Sequence, residues 1–156
     1  MDRLRVVFDC MIFLQAATRS TGPASALLEL AEIGELELLI SDACLEEIRD
    51  VLTRPSLQRK FSSLTISTVG EFMDRIQFCS VHLKDVASAF VMDRDPKDAK
   101  YIDLAIAAKA DVLVTRDKDI LDLRATDSPL LQVFERMKWT CQILDPFEML
   151  SYLRDR

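Results

Sequence analysis

The stretch that decides the fold runs from Asp95 to Leu121 and reads DPKDAKYIDLAIAAKADVLVTRDKDIL. Pro96 forces extended geometry on the residue before it, so Asp93 to Asp98 (DRDPKD) reads as a loop. Asp98 to Ala110 is rich in alanine and free of glycine and proline, which predicts a helix. Tyr101, Ile102, Ala105 and Ala108 form its apolar stripe. Asp111 to Thr115 (DVLVT) is short and apolar, the signature of a strand buried on both faces, as in a parallel sheet. Asp117 lies two residues beyond that strand, and Lys118 to Leu123 predicts a single helical turn.

The same alternation extends outward. Leu4 to Phe8 (LRVVF) is a first buried strand, ending at Asp9. After a loop around Thr18 to Gly22, Pro23 sits where a helix begins, Ala24, Leu27, Leu28 and Ala31 repeat at helical spacing, and Gly34 closes it. Leu36 to Ile40 is a second strand. Ser41 or Asp42 caps the next helix, whose face is Leu45, Ile48, Val51 and Leu52, and Pro55 interrupts it. Thr65 to Cys79 predicts a helix with Ile66, Val69, Phe72, Met73 and Ile76 as its stripe. Ser80 to Leu83 and Trp139 to Leu144 are further short strands, and Asp145-Pro146 opens a last helix through about Leu153. Strands alternating with helices predict an α/β fold with a mainly parallel sheet, in one domain spanning residues 1–156.

Three scarcities exclude whole classes of chemistry. With three scattered glycines, neither a GxGxxG dinucleotide fingerprint nor a P-loop can be written. One histidine, His82, rules out HExxH and other multi-histidine metal sites. The four cysteines, Cys10, Cys44, Cys79 and Cys141, form no CxxC and read as reduced core thiols of a cytoplasmic protein. The opening MDRLRVVFD is a strand and not a targeting segment, and no apolar run reaches the roughly 18 residues needed to cross a bilayer. Any metal here must be held by oxygen.

Carboxylates are abundant, and their placement is informative. In open parallel sheets, ligands bind beyond the carboxyl ends of the strands. Asp9 and Asp117 follow the first and fourth strands and belong at the same edge; two surface turn aspartates are the alternative. At about 100° per residue, Asp98 falls on the core-facing stripe of its helix, whereas Asp103 lies about 140° away, toward solvent. Asp98 could cap the helix, but that leaves unexplained why Asp95 crowds the same turn. In the earlier helix, Glu46 and Asp50 point away from the core, and Glu47 stands at the boundary, within reach of a cleft or as a solvated flank residue. Asp9, Glu47, Asp98 and Asp117, with Asp119 and Asp95 nearby, would repel one another strongly if brought together. Mg²⁺ or Mn²⁺ resolves that repulsion, and such a site suits phosphodiester hydrolysis.

Three segments, RVVFDCMIFLQA, LLISDACLEEIRDVLTRP and the stretch quoted above, resemble the PIN domain (PilT N-terminus) family, and most closely its branch of toxin components of toxin–antitoxin systems. The resemblance runs from Arg5 to about Leu150. It implies a three-layer α/β/α fold around a five-stranded parallel sheet. It also implies a Mg²⁺- or Mn²⁺-dependent endoribonuclease that leaves 5′-phosphate and 3′-hydroxyl ends. The family's acidic residues map to Asp9, Glu47, Asp98 and Asp117, as catalytic groups and metal ligands, with Asp119 as an auxiliary. Thr115 and Ser41 match the family's supporting hydroxyls. Where many members carry a small polar residue after the first aspartate, this chain has Cys10, Met11, Ile12 and Phe13, which leaves backbone amides to meet substrate there.

For the RNA, Arg19, Arg94, Lys97, Arg116 and Lys118 gather by sequence near the acidic edge, either to hold phosphates or as partners of nearby acids. The chain as a whole is acidic, with a net charge of −6. A cognate antitoxin and a homodimer are implied by the resemblance. The alternatives are a catalytically inactive PIN-like binding module and a haloacid-dehalogenase-like phosphatase. The latter wants a second aspartate at position 11, where this chain has Met11, and a response-regulator receiver wants an acidic pair upstream that is absent.

Overall fold

Five short apolar runs pair into one sheet in the computed structural model, which describes residues 2–90, 92 and 96–156. They are β1 (Leu4–Phe8), β2 (Leu36–Ser41), β3 (Ser80–Leu83), β4 (Val112–Val114) and β5 (Gln142–Leu144). The order is β3-β2-β1-β4-β5, and every pairing is parallel. Parallel neighbours cannot be joined by hairpins, so helices cross over the sheet and cover it, giving three α/β/α layers. Burial follows position in the sheet. Val6, Val7, Leu38, Leu39 and Val114 of the inner strands are buried, whereas edge strand β3 leaves Val81 and His82 exposed.

The order has one reversal. From β1 the chain moves outward through β2 and β3, then returns to place β4 on the other side of β1. The carboxyl ends of β1 and β4 therefore flank a topological switch point, where doubly wound sheets open a crevice. Asp9 and Thr115 stand there. The Asp9 amide donates to Val114 O at 3.1 Å, extending the β1–β4 ladder. At the opposite end of the same strands, the Arg5 amide donates to Asp111 Oδ2 at 2.8 Å, and Arg5 pairs with Glu37 on β2 at 2.8 Å.

The helices are α1 (Cys10–Thr18), α2 (Pro23–Glu32), α3 (Asp42–Leu52), α4 (Pro55–Lys60), α5 (Ile66–Cys79), α6 (Ala99–Ala108), α7 (Lys118–Leu121), α8 (Pro129–Met137) and α9 (Pro146–Arg154). Three of them, α1, α4 and α8, have no counterpart among the helices expected from the sequence pattern. In α1 (CMIFLQAAT) apolar residues run almost all round, so no stripe stands out. Helix α8 carries a usable signal, Ser128 as N-cap before Pro129 at the first turn. Pro55 does end α3, but it also starts α4. The buried positions of α3 are Cys44, Ile48 and Leu52, with Leu45 and Val51 only half-buried. Ile66, expected in the stripe of α5, is 88% exposed because it opens the helix beyond the core.

Asp103 corrects a larger expectation. It is not on a solvent face: it is buried, and its Oδ1 accepts the amides of Ala89 at 2.8 Å and Phe90 at 2.9 Å. Helix α6 is covered on nearly every side, because the segment after β3 folds back over the face that helical periodicity assigns to water. The carboxylate fastens that segment down. Asp103→Ala is expected to lower stability by about 2 kcal/mol, since it orphans two backbone donors. A true solvent-face aspartate would change it by no more than about 0.5 kcal/mol. Urea denaturation of the variant and of Asp103→Asn distinguishes the two.

Candidate metal centre

Asp9 ends β1 and caps α1. Its extended backbone lets one carboxylate oxygen accept the Ile12 amide at 3.3 Å, while the other accepts the Thr115 hydroxyl. That same hydroxyl oxygen accepts the amide of Asp117 at 2.9 Å. Asp117 in turn caps α7, its Oδ1 accepting the amides of Asp119 at 2.8 Å and Ile120 at 3.4 Å. Thr115 is fully buried, so one hydroxyl fixes both aspartates at the switch point. Asp9 is 3% exposed, and burial pushes its carboxyl up from 3.8 to about 6; the Thr115 and Ile12 hydrogen bonds pull it down, and the charge of Asp117 adds to the rise.

Asp9, Asp117, Asp98 and Glu47 all line one cleft of about 600 Å³. Asp98 leads into α6 but makes no side-chain cap, and its backbone is already helical where a cap residue would be extended. Its Oδ2 is sealed from solvent. The capping alternative for Asp98 is thus not realised. Glu47 reaches the cleft from α3 at the boundary position expected, but it is engaged by α6: Oε2 accepts Lys100 Nζ at 2.8 Å and Oε1 accepts the Tyr101 hydroxyl at 2.5 Å.

The remaining candidates separate. Lys97 and Arg116 line the cleft, whereas Arg19 and Lys118 are exposed and do not. Asp119 contributes its amide to Asp117 and does not line the cleft. Ser41 is buried as the cap of α3, accepting the Cys44 amide at 3.3 Å, and lines a smaller neighbouring cavity. Arg94 and Asp95 fall outside the described residues. Sequence reasoning overlooked Arg54, which lines the cleft and pairs with Asp50 at 2.9 Å, and the Lys100–Tyr101 pair, whose partner Glu47 is too distant in the chain for any local spacing to reveal. Burial pushes the Cys10 thiol in the cleft wall up to about 12 and that of Cys44 to about 11, which leaves neither as a thiolate nucleophile. His82 pairs with Asp42 at 2.6 Å on the exposed sheet edge, not in the cleft.

The donor set is oxygen only, as a hard divalent cation requires. Among the described residues, no three acidic, histidine or cysteine side chains stand close enough to form a ready-made cage. That spacing still fits Mg²⁺, which keeps several waters and binds through one or two carboxylates plus substrate phosphates. Asp9 and Asp117, joined through Thr115, are a pair that could hold such an ion, and Asp98 lines the same cleft.

A PIN domain family model matches residues 5–119. Among solved structures, the chain is similar to the crystal structure of VapBC2 from Rickettsia felis bound to a DNA fragment from their promoter. The TM-score is 0.52 at 16% identity, covering 91% of this chain and 98% of that one. At that identity the likeness concerns the fold. No curated protein matches the chain.

The elevated Asp9 carboxyl has a measurable consequence. Folding favours its protonated form, so its contribution to stability is full below 3.8 and is lost as pH rises through about 6. In metal-free buffer the protein is expected to lose about 3 kcal/mol of stability across that window. Asp9→Asn should remove this loss, as read by denaturant midpoints against pH.

Proposed function

Because the chain belongs to the PIN-domain family, we propose that its acidic cleft is the active site of a Mg²⁺- or Mn²⁺-dependent endoribonuclease, the toxin of a toxin–antitoxin pair. The observation that carries this reading is the joining of Asp9 and Asp117 through one buried hydroxyl at the switch point, in a cleft that Asp98 and Glu47 also line. A hard divalent cation supplies charge neutralisation at the phosphate and makes water more acidic. Asp9, Asp117 and Asp98, which line the cleft, would hold it. Thr115 fixes the orientation of the two switch-point aspartates, so neither has to reorganise when substrate arrives.

The cationic rim suits an RNA backbone. Lys97, Arg116 and Arg54 line the same cleft as the acids and meet phosphate oxygens. The Arg116 guanidinium also lies over the Phe147 ring at 5.9 Å, and Phe147 is 59% exposed. A flat cation on an open aromatic at the rim suits unpaired bases and favours single-stranded over duplex substrate.

A cognate antitoxin follows from the toxin–antitoxin resemblance and from the solution of the VapBC2 neighbour as a complex on promoter DNA. Ile66 and Phe78, 88% and 94% exposed on α5, give apolar surface for a protein partner, the antitoxin or a second copy of this chain. Among the described residues no helix is long and apolar enough to cross a membrane, and all four cysteines are unbridged. We place the protein in the reducing cytoplasm on the second of these.

Cleavage of a defined single-stranded RNA should require Mn²⁺ or Mg²⁺ and stop on chelation. Asp9→Asn and Asp98→Asn should each abolish it while circular dichroism stays unchanged. Full cleavage by a clean preparation of either variant would reject the assignment. A catalytically silent binding module gives a different result, no Mn²⁺ binding that depends on Asp9 in calorimetry.

A further inference from the structure

Arg116 stands in the chain between Thr115 and Asp117 and lines the cleft together with Asp9, Glu47, Asp98 and Asp117. A guanidinium in such company usually pairs with a carboxylate. Here it does not: among the described residues, no carboxylate lies within ion-pair distance of it. Its guanidinium lies instead over the ring of Phe147, 5.9 Å from the centroid.

Phe147 is not a core residue. It is 59% exposed, on the first turn of α9. The start of that helix is fixed in three ways. The Thr115 amide donates to Leu144 O at 2.9 Å, which ties the end of β5 to the switch point. Asp145 and Glu148 cap α9 reciprocally, at 2.8 Å and 3.0 Å. Glu148 also receives the Arg124 guanidinium at 3.1 Å. The ring therefore stands on a fixed ledge beside the cleft, and it comes from a part of the chain beyond residues 5–119, where the family model matches.

We propose that Phe147 is a positioning residue for Arg116: its ring keeps the guanidinium at the rim and off the carboxylates of the cleft. Those carboxylates then keep their charge for a divalent cation, and Arg116 keeps its own for an RNA phosphate. Without the ring, the guanidinium is left among the acids, where it competes with the metal for the same oxygens. An exposed ion pair is worth little more than an exposed cation–π contact, so one ring is enough to tip the balance. This inference rests on the nuclease reading above and adds to it a residue that acts through another.

Calorimetric titration with Mn²⁺ alone tests it. Phe147 is outside the core, so its variants should fold, as circular dichroism checks. Phe147→Ala should bind Mn²⁺ about two- to fivefold more weakly than the wild type, the range of an exposed cation–π contact. Phe147→Leu keeps an apolar side chain without an aromatic face and should be as weak as Phe147→Ala. Phe147→Trp should restore wild-type affinity. Arg116→Gln removes the competitor and should bind at least as tightly as the wild type, and adding Phe147→Ala to it should cause no further loss. Wild-type affinity in Phe147→Ala or Phe147→Leu, or an undiminished loss in the Arg116→Gln background, would overturn the inference and leave the nuclease reading standing. No Mn²⁺ binding by the wild type would bring down that reading and this inference together.

Discussion

One hydroxyl carries much of the architecture at the switch point. Thr115 donates to Asp9 and accepts from the amide of Asp117, so two like charges are placed side by side at the end of a hydrophobic sheet. Burying an ionised carboxylate is costly unless hydrogen bonds or an opposite charge compensate it. Here hydrogen bonds compensate in part, and the elevated carboxyl of Asp9 registers the remainder. That residual cost follows from strand order: the parallel pairing of β1 with β4 sets their carboxyl ends side by side, and the reversal of order between them opens the crevice there. The fold keeps the two acids together, and on the proposed reading a bound cation completes their compensation.

Glu47 shows the other way of stabilising a sheltered acid. Its charge is matched permanently by Lys100 and its second oxygen by Tyr101, a pairing that fastens α3 against α6. Removing one member of such a pair strands the other, so the pair stiffens the cleft wall as long as both are present. The cleft therefore holds in Glu47 a carboxylate matched by a neighbouring cation and in Asp9 one whose compensation is incomplete. That asymmetry is what a site needs if it is to keep its shape without metal and still attract one.

The fold was readable because parallel sheets write themselves as unbroken apolar runs. LRVVF, LELLI and DVLVT could be placed with their neighbouring helices by period and punctuation alone. Asp9, Asp98 and Asp117 were readable for the same reason, since each sits at the end of a strand or the head of a helix. Periodicity failed where an element has no solvent face. Helix α1 is apolar nearly all round, and α6 is buried on the side that periodicity assigns to water, where Asp103 anchors the chain at Ala89 and Phe90. The partners of Glu47 were invisible for a different reason: contacts between α3 and α6 join residues far apart in sequence, and no local pattern encodes them.

The acidity of the chain bears on how it meets a polyanion. A net charge of −6 repels RNA at long range, and salt at physiological strength screens that field within about 8 Å. Attraction must then arise inside the cleft, at contact distance. Arg54 already shares its charge with Asp50, and Lys100 is committed to Glu47. Among the described residues, Lys97 and Arg116 are set against Asp9, Asp98 and Asp117 in the same cleft, so their side chains leave it negative. A bound divalent cation reverses that local sign. On the proposed reading, the metal is therefore required for the phosphate to enter at all, and binding and chemistry share one dependence on it.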